Sequence, residues 1–511
     1  MSFLIRLLAI MPAVAALLAS SIPLTAATSK PNIVFILTDD QGYGDLSAHG
    51  HPLLKTPNFD RLHAESVRFD NFYVSPSCSP TRAALMTGMH EFRNGVTHTR
   101  NPRHQLWKEA VTLPQLLQKS GYRTALIGKW HLGGGGYQPK DCGFDLYART
   151  QGDLFSGIVL RNLQKTSETP GKFREDCYFD EAMEFIKDCG DQPFFCEIAT
   201  VSPHAPCIAP EEDIAPFQGK VSDVEAAYLG MVMNLDRNIG RLLDFLEEKK
   251  LAENTIVVLM NDNGATHGLD IFNAGMRGCK TTSWQGGSRA FSFWRWPGHW
   301  TPHTVDNLTA HLDFLPTICQ LTGTPVPEET RKQLEGFSLV PLLDAKGPEL
   351  WHDDRMLFVH AGRWTSGMAA AHKYYKAAVL QGHMMLVRSR PCGDSACNYD
   401  EGGECRTLVN VEAGGASANY TRKNAQFHWG ITPPDHWSLF DLAKDPTCLN
   451  DLTEKNPALA QQLAAAYDTW WEGVYPLMIE RGGDAPIDEE HKKAARKSAS
   501  PAKRAASEVD G

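Results

Sequence analysis

The chain reads as an α/β protein, with a large mixed, mostly parallel sheet covered by helices on both faces and a smaller C-terminal α+β subdomain. Apolar, β-branched-rich runs at residues 32–37, 123–127, 194–199 and 255–260 have the length of strands buried on both faces. Helical patterns lie between them, at 113–119, 179–187 and 224–248, and strands alternating with helices favour a parallel sheet. After about Leu343 the pattern shortens, with strands expected around 355–359, 374–379 and 383–387 and a helix near 458–471.

These runs divide the 511 residues into a leader at 1–27, a main domain at 28–345, a subdomain with a small antiparallel sheet and helix at 346–483, and a disordered tail at 484–511. A composition of 42% hydrophobic and 22% charged residues excludes disordered, collagen-like and coiled-coil classes. The formal charge of -10 argues against a general polyanion binder, and nothing resembles a nucleic-acid module. A few converging Arg and Lys side chains can still build an anion site inside an acidic protein.

In the leader, Arg6 precedes an apolar run at 7–18 and small residues ending at Thr25-Ala26-Ala27, the pattern of a signal peptide cleaved near Ala26 or Ala27. The alternative, a membrane anchor, needs about 20 apolar residues and this run is shorter. The expectation is an exported protein, periplasmic or secreted, with no stable membrane anchor. Many of the 12 cysteines are then expected to pair, and Cys392, Cys397 and Cys405 read as a locally stapled loop. A zinc site there is the weaker reading, because no histidine lies nearby. With Cys78 reserved for chemistry, 11 cysteines remain and at least one stays unpaired.

The functional signal lies in the residues immediately after each buried strand. The first run ends in Asp39-Asp40, the second in Gly128-Lys129-Trp130-His131, the third leads to Pro203-His204-Ala205-Pro206, and the fourth ends in Asn261-Asp262-Asn263-Gly264. Ligands of open α/β sheets sit beyond the carboxyl ends of the strands, so four segments deliver polar groups to one place. Asp39, Asp40, Asp262 and Asn263 form an all-oxygen set suited to Ca²⁺ or Mg²⁺ rather than zinc. Each pair alone could equally be a turn after a strand. Joint placement at the strand ends favours the metal.

Cys78 lies in Ser77-Cys78-Ser79-Pro80-Thr81-Arg82-Ala83-Ala84-Leu85-Met86-Thr87-Gly88. Pro80 suits a first helical turn and Gly88 a helix end, which places Cys78 at a helix N-terminus, where anions are favoured. A lone cysteine in an exported protein is ordinarily a disulfide partner.

Cys78-x-Pro80-x-Arg82 followed by Leu85-Met86-Thr87-Gly88 resembles the signature of the sulfatases, in which the cysteine is oxidised to formylglycine. Other segments are similar to that family in the same order: Asp39-Asp40-Gln41-Gly42, Gly128-Lys129-Trp130-His131-Leu132-Gly133, Pro203-His204-x-Pro206, Asp262-Asn263-Gly264, and Arg277-Gly278-Cys279-Lys280 with Gly286-Gly287. The likeness is strong from about Lys30 to Asp344 and weaker to Trp437-Ser438-Leu439-Phe440-Asp441-Leu442 and Asp445-Pro446. Thr81 stands where Ser is commoner and Gln285 where Glu often precedes the double glycine. The resemblance implies an alkaline-phosphatase-like sandwich and a sulfuric ester hydrolase matured by a formylglycine-generating enzyme.

It further implies one Ca²⁺ per chain held by Asp39, Asp40, Asp262, Asn263 and position 78, with Arg82, Lys129 and Lys280 completing an anion cradle. In the family pattern the hydrated aldehyde at position 78 attacks sulfur, the alcohol leaves, and the second hydroxyl expels sulfate. A geminal diol is needed for that last step, so cysteine or serine could not turn over in the same way. His131 matches the base for sulfate elimination; His204 and Lys280 match positions facing the ester oxygen, with His204 the leaving-group acid. The expected partner is a sulfated carbohydrate or a small sulfate ester.

Several bland readings stand beside these. His98, Arg100 and His104 either line the substrate entrance or belong to a solvated loop. Trp294, Trp296 and Trp300 read as packing residues before a sugar platform, and Trp470-Trp471 as core. Asn307-Leu308-Thr309 and Asn419-Tyr420-Thr421 are glycosylation sequons that count only in a eukaryotic host. The rivals are a related phosphomonoester or phosphonate hydrolase, a non-enzymatic binder of sulfated glycans, and an exported structural protein.

Overall fold

A computed structural model describes residues 30–133, 137–345, 351–364, 366–388 and 436–486. The leader, the Cys392, Cys397 and Cys405 loop, the Asn419 sequon and nearly all of the expected tail lie outside them. The strands in chain order are β1 (Asn32–Asp39), β2 (Val67–Tyr73), β3 (Arg123–Gly128), β4 (Leu146–Gln151), β5 (Ile158–Arg161), β6 (Gln164–Glu168), β7 (Phe194–Pro203), β8 (Thr255–Asn261), β9 (Arg289–Arg295), β10 (Thr304–Val305), β11 (Thr309–Ala310), β12 (Leu357–His360), β13 (Ala377–Gln381), β14 (Met384–Arg388) and β15 (Ser438–Asp441).

The main sheet runs in the order β10-β2-β9-β8-β1-β7-β3-β4-β5-β6, with β11 beside β2. Strands β8, β1, β7, β3 and β4 are mutually parallel neighbours, and antiparallel pairings occur at β2–β9, β8–β9, β4–β5 and β5–β6. The four runs read as buried strands are therefore the adjacent centre of one sheet. Their side chains alternate between two cores: Val34, Ile36, Ile198, Val257 and Leu259 face one, and Ile33, Phe35, Leu37, Ile256 and Val258 face the other. That double burial explains why these strands carry apolar side chains on both faces instead of at every second position.

The first core is closed by the helices Arg174–Cys189 and Asp223–Glu248, the second by Cys78–Thr87, Leu113–Lys119 and Phe314–Thr322. The 26-residue helix starts at a capping box in which the Ser222 backbone N–H donates to Glu225 and Ser222 Oγ accepts from the Glu225 N–H. In the subdomain, β12, β13, β14 and β15 form an antiparallel sheet. Leu357, Val359, Ala378, Leu380, Met385 and Val387 pack on the first core, while Ala377, Val379, Leu386 and Leu439 pack on the helix Pro457–Glu480 with Leu463, Tyr467 and Trp471. The two parts are also tied by paired hydrogen bonds from Arg355 to Asp313 at 2.7 and 3.1 Å.

The disulfide expectation is corrected here. Among the described residues, Cys78, Cys142, Cys177, Cys189, Cys196, Cys207, Cys319 and Cys448 are free thiols. Several serve as small buried apolar groups, Cys189 and Cys196 in the first core and Cys142 and Cys319 in the second. Trp294 is likewise buried in the second core, and Trp300 donates to Asp344 Oδ1 at 3.0 Å, so the packing reading holds for both.

Glu197 is a buried acid that the apolar pattern of β7 conceals. It is 4% exposed, its Oε2 has no hydrogen-bond partner, and burial pushes its carboxyl up to about 7 despite the charge of Arg82. The folded chain holds that proton up to about 7, whereas an unfolded glutamate releases it near 4.5. The folded state therefore binds more protons in that window and loses stability as pH rises through it. Glu197→Gln should flatten the fall in melting temperature between about pH 5 and pH 8; an unchanged fall in the variant would show that Glu197 does not hold the proton.

Candidate active site

Because β8, β1, β7 and β3 are parallel and adjacent, their carboxyl ends open at one edge of the sheet. Pairing persists to the last residue: Thr38 lies opposite Asn261, the Asp262 N–H donates to Thr38 O at 3.0 Å, and the Lys129 N–H donates to Ala199 O at 2.8 Å. A register shift in β1 between Leu37 and Asp39 then turns Asp39 toward the site. Asp40 (φ 62) and His131 (φ 55) leave their strands in the left-handed region, which aims consecutive side chains into one space.

Three carboxylates meet three cations there. Lys129 Nζ lies 2.5 Å from Asp39 Oδ2, Arg82 Nη2 2.9 Å from Asp262 Oδ2, and Lys280 Nζ 2.6 Å from Asp40 Oδ1. Asp262 Oδ1 accepts from the Asp40 N–H at 3.2 Å, and Asn263 Nδ2 donates to Asp40 Oδ1 at 2.9 Å. Cys78 opens the helix Cys78–Thr87, buried along its whole length and closed by Gly88 in the left-handed region. Candidate ligand atoms of Asp39, Cys78 and Asp262 all lie within 4.8 Å of one another.

The donor set fits a hard cation. Asp39 Oδ1 and Asn263 Oδ1 are buried without a hydrogen-bond partner, a costly state unless something positive faces them. Burial and the neighbouring Asp39 carboxylate push Asp262 well above the usual range, while Lys129, His204, Arg82 and Lys280 overcome burial to hold Asp39 well below it. The two unpartnered oxygens and the carboxylate of Asp262 form an all-oxygen donor set of the kind a divalent ion takes. Asp40 is the ligand candidate most occupied by protein partners, Lys280 and the Asn263 amide.

The two histidines differ in a manner useful for proton transfer. His131 Nε2 lies 3.1 Å from Thr99 O and so carries the proton, leaving Nδ1, buried and without a partner, as a free lone pair. Burial and the adjacent Lys129 push its ring well below the ordinary histidine value, keeping it neutral. His204 Nδ1 donates to Ala205 O at 2.6 Å, which turns Nε2 toward Asp40 Oδ2, 3.7 Å away. Its side chain is 35% exposed at the mouth of the site.

Some readings need revision or extension. His98 is fully buried and lines no entrance; its Nδ1 accepts the N–H groups of Thr99 and Arg100 at 2.8 and 3.0 Å, shaping the turn whose Thr99 carbonyl orients His131. His104 accompanies His131 at 5.7 Å between ring centroids and bonds Gly133 O. Thr81 spends its hydroxyl on Ser75 O at 3.0 Å, and Gln285 donates to Tyr73 Oη at 3.1 Å while Lys280 keeps its pair with Asp40. Tyr228, unmarked by any motif, supports the Asp39-Asp40 turn by donating to Asp40 O at 3.1 Å and to Asp45.

The sulfatase profile matches residues 31–324. The chain is 32% identical to N-acetylgalactosamine-6-sulfatase of Homo sapiens over 390 residues, 69% of this chain and 72% of that one. It is 34% identical to arylsulfatase A of Homo sapiens over 364 residues, 63% of this chain and 69% of the relative. The solved structure of Ps i-CgsB in complex with k-i-k-neocarrahexaose shares the fold, with a TM-score of 0.71 at 24% identity over 92% of this chain and 97% of that one. The chain belongs to the sulfatase family, whose members are sulfuric ester hydrolases.

Glycines hold the loops of the site in contact. A Cβ at Gly264 would sit 1.7 Å from Gly286 O, and one at Gly287 2.3 Å from Cys279 O and Thr282 O, so the double glycine lets the Lys280 loop close on the Asp262 loop. Gly264→Ala should lower the melting temperature and cut activity at least tenfold. Gly473→Ala, which meets nothing within 4 Å in the helix Pro457–Glu480, should match or slightly exceed wild-type stability. Equal behaviour of the two variants would rule out this packing account.

Proposed function

We propose that this protein hydrolyses sulfate monoesters on sulfated glycans, using Cys78 matured to formylglycine and a bound Ca²⁺. The observation that carries the reading is the convergence of Cys78, Asp39 and Asp262 within 4.8 Å beneath Arg82, Lys129 and Lys280, with carboxylate and amide oxygens left unpartnered. Its relatedness to a sulfatase named for N-acetylgalactosamine 6-sulfate supports a carbohydrate substrate. A leader of signal-peptide pattern supports export. No helix of the described residues is long and apolar enough to cross a membrane.

Asp39, Asp40, Asp262, Asn263 and position 78 would hold the ion, which when bound supplies Lewis-acid polarisation of the sulfate oxygens. Formylglycine supplies a geminal diol, one oxygen to attack sulfur and a second to expel sulfate afterwards. Arg82, Lys129 and Lys280 counter the charge on the sulfate oxygens in a site from which water is largely excluded. His204, at the mouth, gives a proton from Nε2 to the alcohol oxygen as its bond to sulfur breaks. His131 accepts at Nδ1 the proton of the remaining hydroxyl as sulfate departs. The neutrality of His131 equips it for this role, because a protonated ring could not accept.

Mass spectrometry of the tryptic peptide containing Cys78, from protein co-expressed with a formylglycine-generating enzyme, should give the mass of formylglycine or its hydrate. The matured protein should release free sulfate from sulfated sugars, and Cys78→Ala should lose at least about 10³-fold of that rate. An unmodified Cys78 under these conditions would sink the mechanism and favour a glycan-binding role; release of phosphate but not sulfate would favour the phosphoester reading. In a separate measurement free of turnover, Ca²⁺ should raise the melting temperature of the wild type, with Asn263→Ala needing about tenfold more ion for the same shift.

A further inference from the structure

A cleft of about 500 Å³ opens beside the site over the ends of β3, β4 and β7. Its inner wall is the catalytic group of Lys129, His131 and His204; its outer wall is built by Tyr147, Arg149 and Thr150 of β4 with Arg174 and Tyr178 of the helix Arg174–Cys189. The volume falls in the range of about 300–1,000 Å³ typical of small-ligand sites, which is more room than one sulfate ester group requires.

The outer wall carries two guanidinium groups that the hydrolysis does not use. Arg174 Nε and Nη2 are buried with no hydrogen-bond partner. Its neighbouring carboxylate oxygen, Glu175 Oε1, is 3.5 Å from Nε and already accepts the Ser202 N–H at 2.9 Å, the Ser202 hydroxyl at 2.8 Å and the Val201 N–H at 3.3 Å. Arg149 makes one long hydrogen bond, from Nη1 to Thr150 O at 3.3 Å. Asp153, the acid in the cleft lining, accepts the Phe155 N–H at 2.9 Å and caps its own turn. Arg174 Nε and Nη2 are thus left without a hydrogen-bond partner, and Arg149 has spent one donor on a long bond, so this wall of a chain of net charge -10 keeps guanidinium donors for a ligand.

We propose that Arg149 and Arg174 form a second anion subsite, so that the preferred substrate carries, besides the sulfate that is cleaved, another sulfate or carboxylate on the same or the adjoining sugar. This rests on the sulfatase reading and narrows its substrate class to multiply charged glycans. Guanidinium forks match the oxygens of either anion. Tyr147, only partly buried in the cleft wall, offers a ring face to the sugar, while Tyr178 stays in the first core with its Oη 3.3 Å from Thr150 Oγ1.

The test compares matured full-length wild type with Arg149→Gln, Arg174→Gln and the double variant. The substrates are monosulfated N-acetylgalactosamine and N-acetylglucosamine, their disulfated forms, and their uronate-bearing monosulfated disaccharides. The quantity read is the ratio of kcat/KM for a doubly charged sugar to that for its singly charged counterpart, so any general loss cancels. In the wild type this ratio should favour the doubly charged sugar, and the variants should reduce it about tenfold or more, through KM, with a shallower salt dependence. Whether the disulfated or the uronate arm responds identifies the anion. Ratios within twofold of wild type, in variants of unchanged melting temperature, overturn the subsite. If the wild type releases sulfate from none of them, calorimetric binding of the same sugars decides: weaker binding by the double variant keeps the subsite and discards the hydrolase reading, and equal binding discards the subsite.

Discussion

Mutual repulsion of Asp39, Asp40 and Asp262 is the constraint around which the rest of the structure is arranged. Three buried carboxylates at the ends of two adjacent strands would be intolerable without compensation, and each receives its own cation: Lys129 from the end of β3, Lys280 from the loop before the double glycine, and Arg82 from the signature helix. Removing one partner of such a buried pair typically costs about 3–5 kcal/mol, because the other charge is left desolvated. The charges thus bind five separate segments to one point. The same compensation leaves two oxygens unsatisfied, and those oxygens are where a cation is wanted.

Holding that many charges together requires backbones to come closer than side chains permit. Gly128, Gly264, Gly286 and Gly287 answer that need, each facing a carbonyl oxygen where a methyl group would stand. Asp40 and His131 accept left-handed backbone for the same purpose. Local strain and local charge concentration therefore share a cause, the convergence of strand ends, and are balanced by the double-sided apolar packing of β1, β7 and β8.

Much of this is legible in the residues. The central strands announce themselves by unbroken apolar runs, and polar residues immediately after each run mark the site, since a parallel sheet puts all such ends on one side. The antiparallel additions β2 and β9 are not visible, because Arg68, Asp70 and Asn71 in β2 and Arg289, Ser292 and Arg295 in β9 interrupt the apolar pattern. His98 shapes a turn and Tyr228 donates to a carbonyl distant in sequence, roles that no spacing marks. Glu197 is hidden by its apolar neighbours. The cysteines mislead through an argument about compartment, whereas in the described core they fill space.

The far end of the chain reaches back to the signature. After the helix Pro457–Glu480, Arg481 and Gly483 pack on the segment that succeeds the signature helix: a Cβ on Gly95 would lie 2.3 Å from Arg481 O, and Thr97 donates to Gly483 O. Cys78 itself is 1% exposed. The helix Pro457–Glu480 and the turn after it therefore brace the segment joined to the signature helix, so that segment takes its final form only when the subdomain has folded against it.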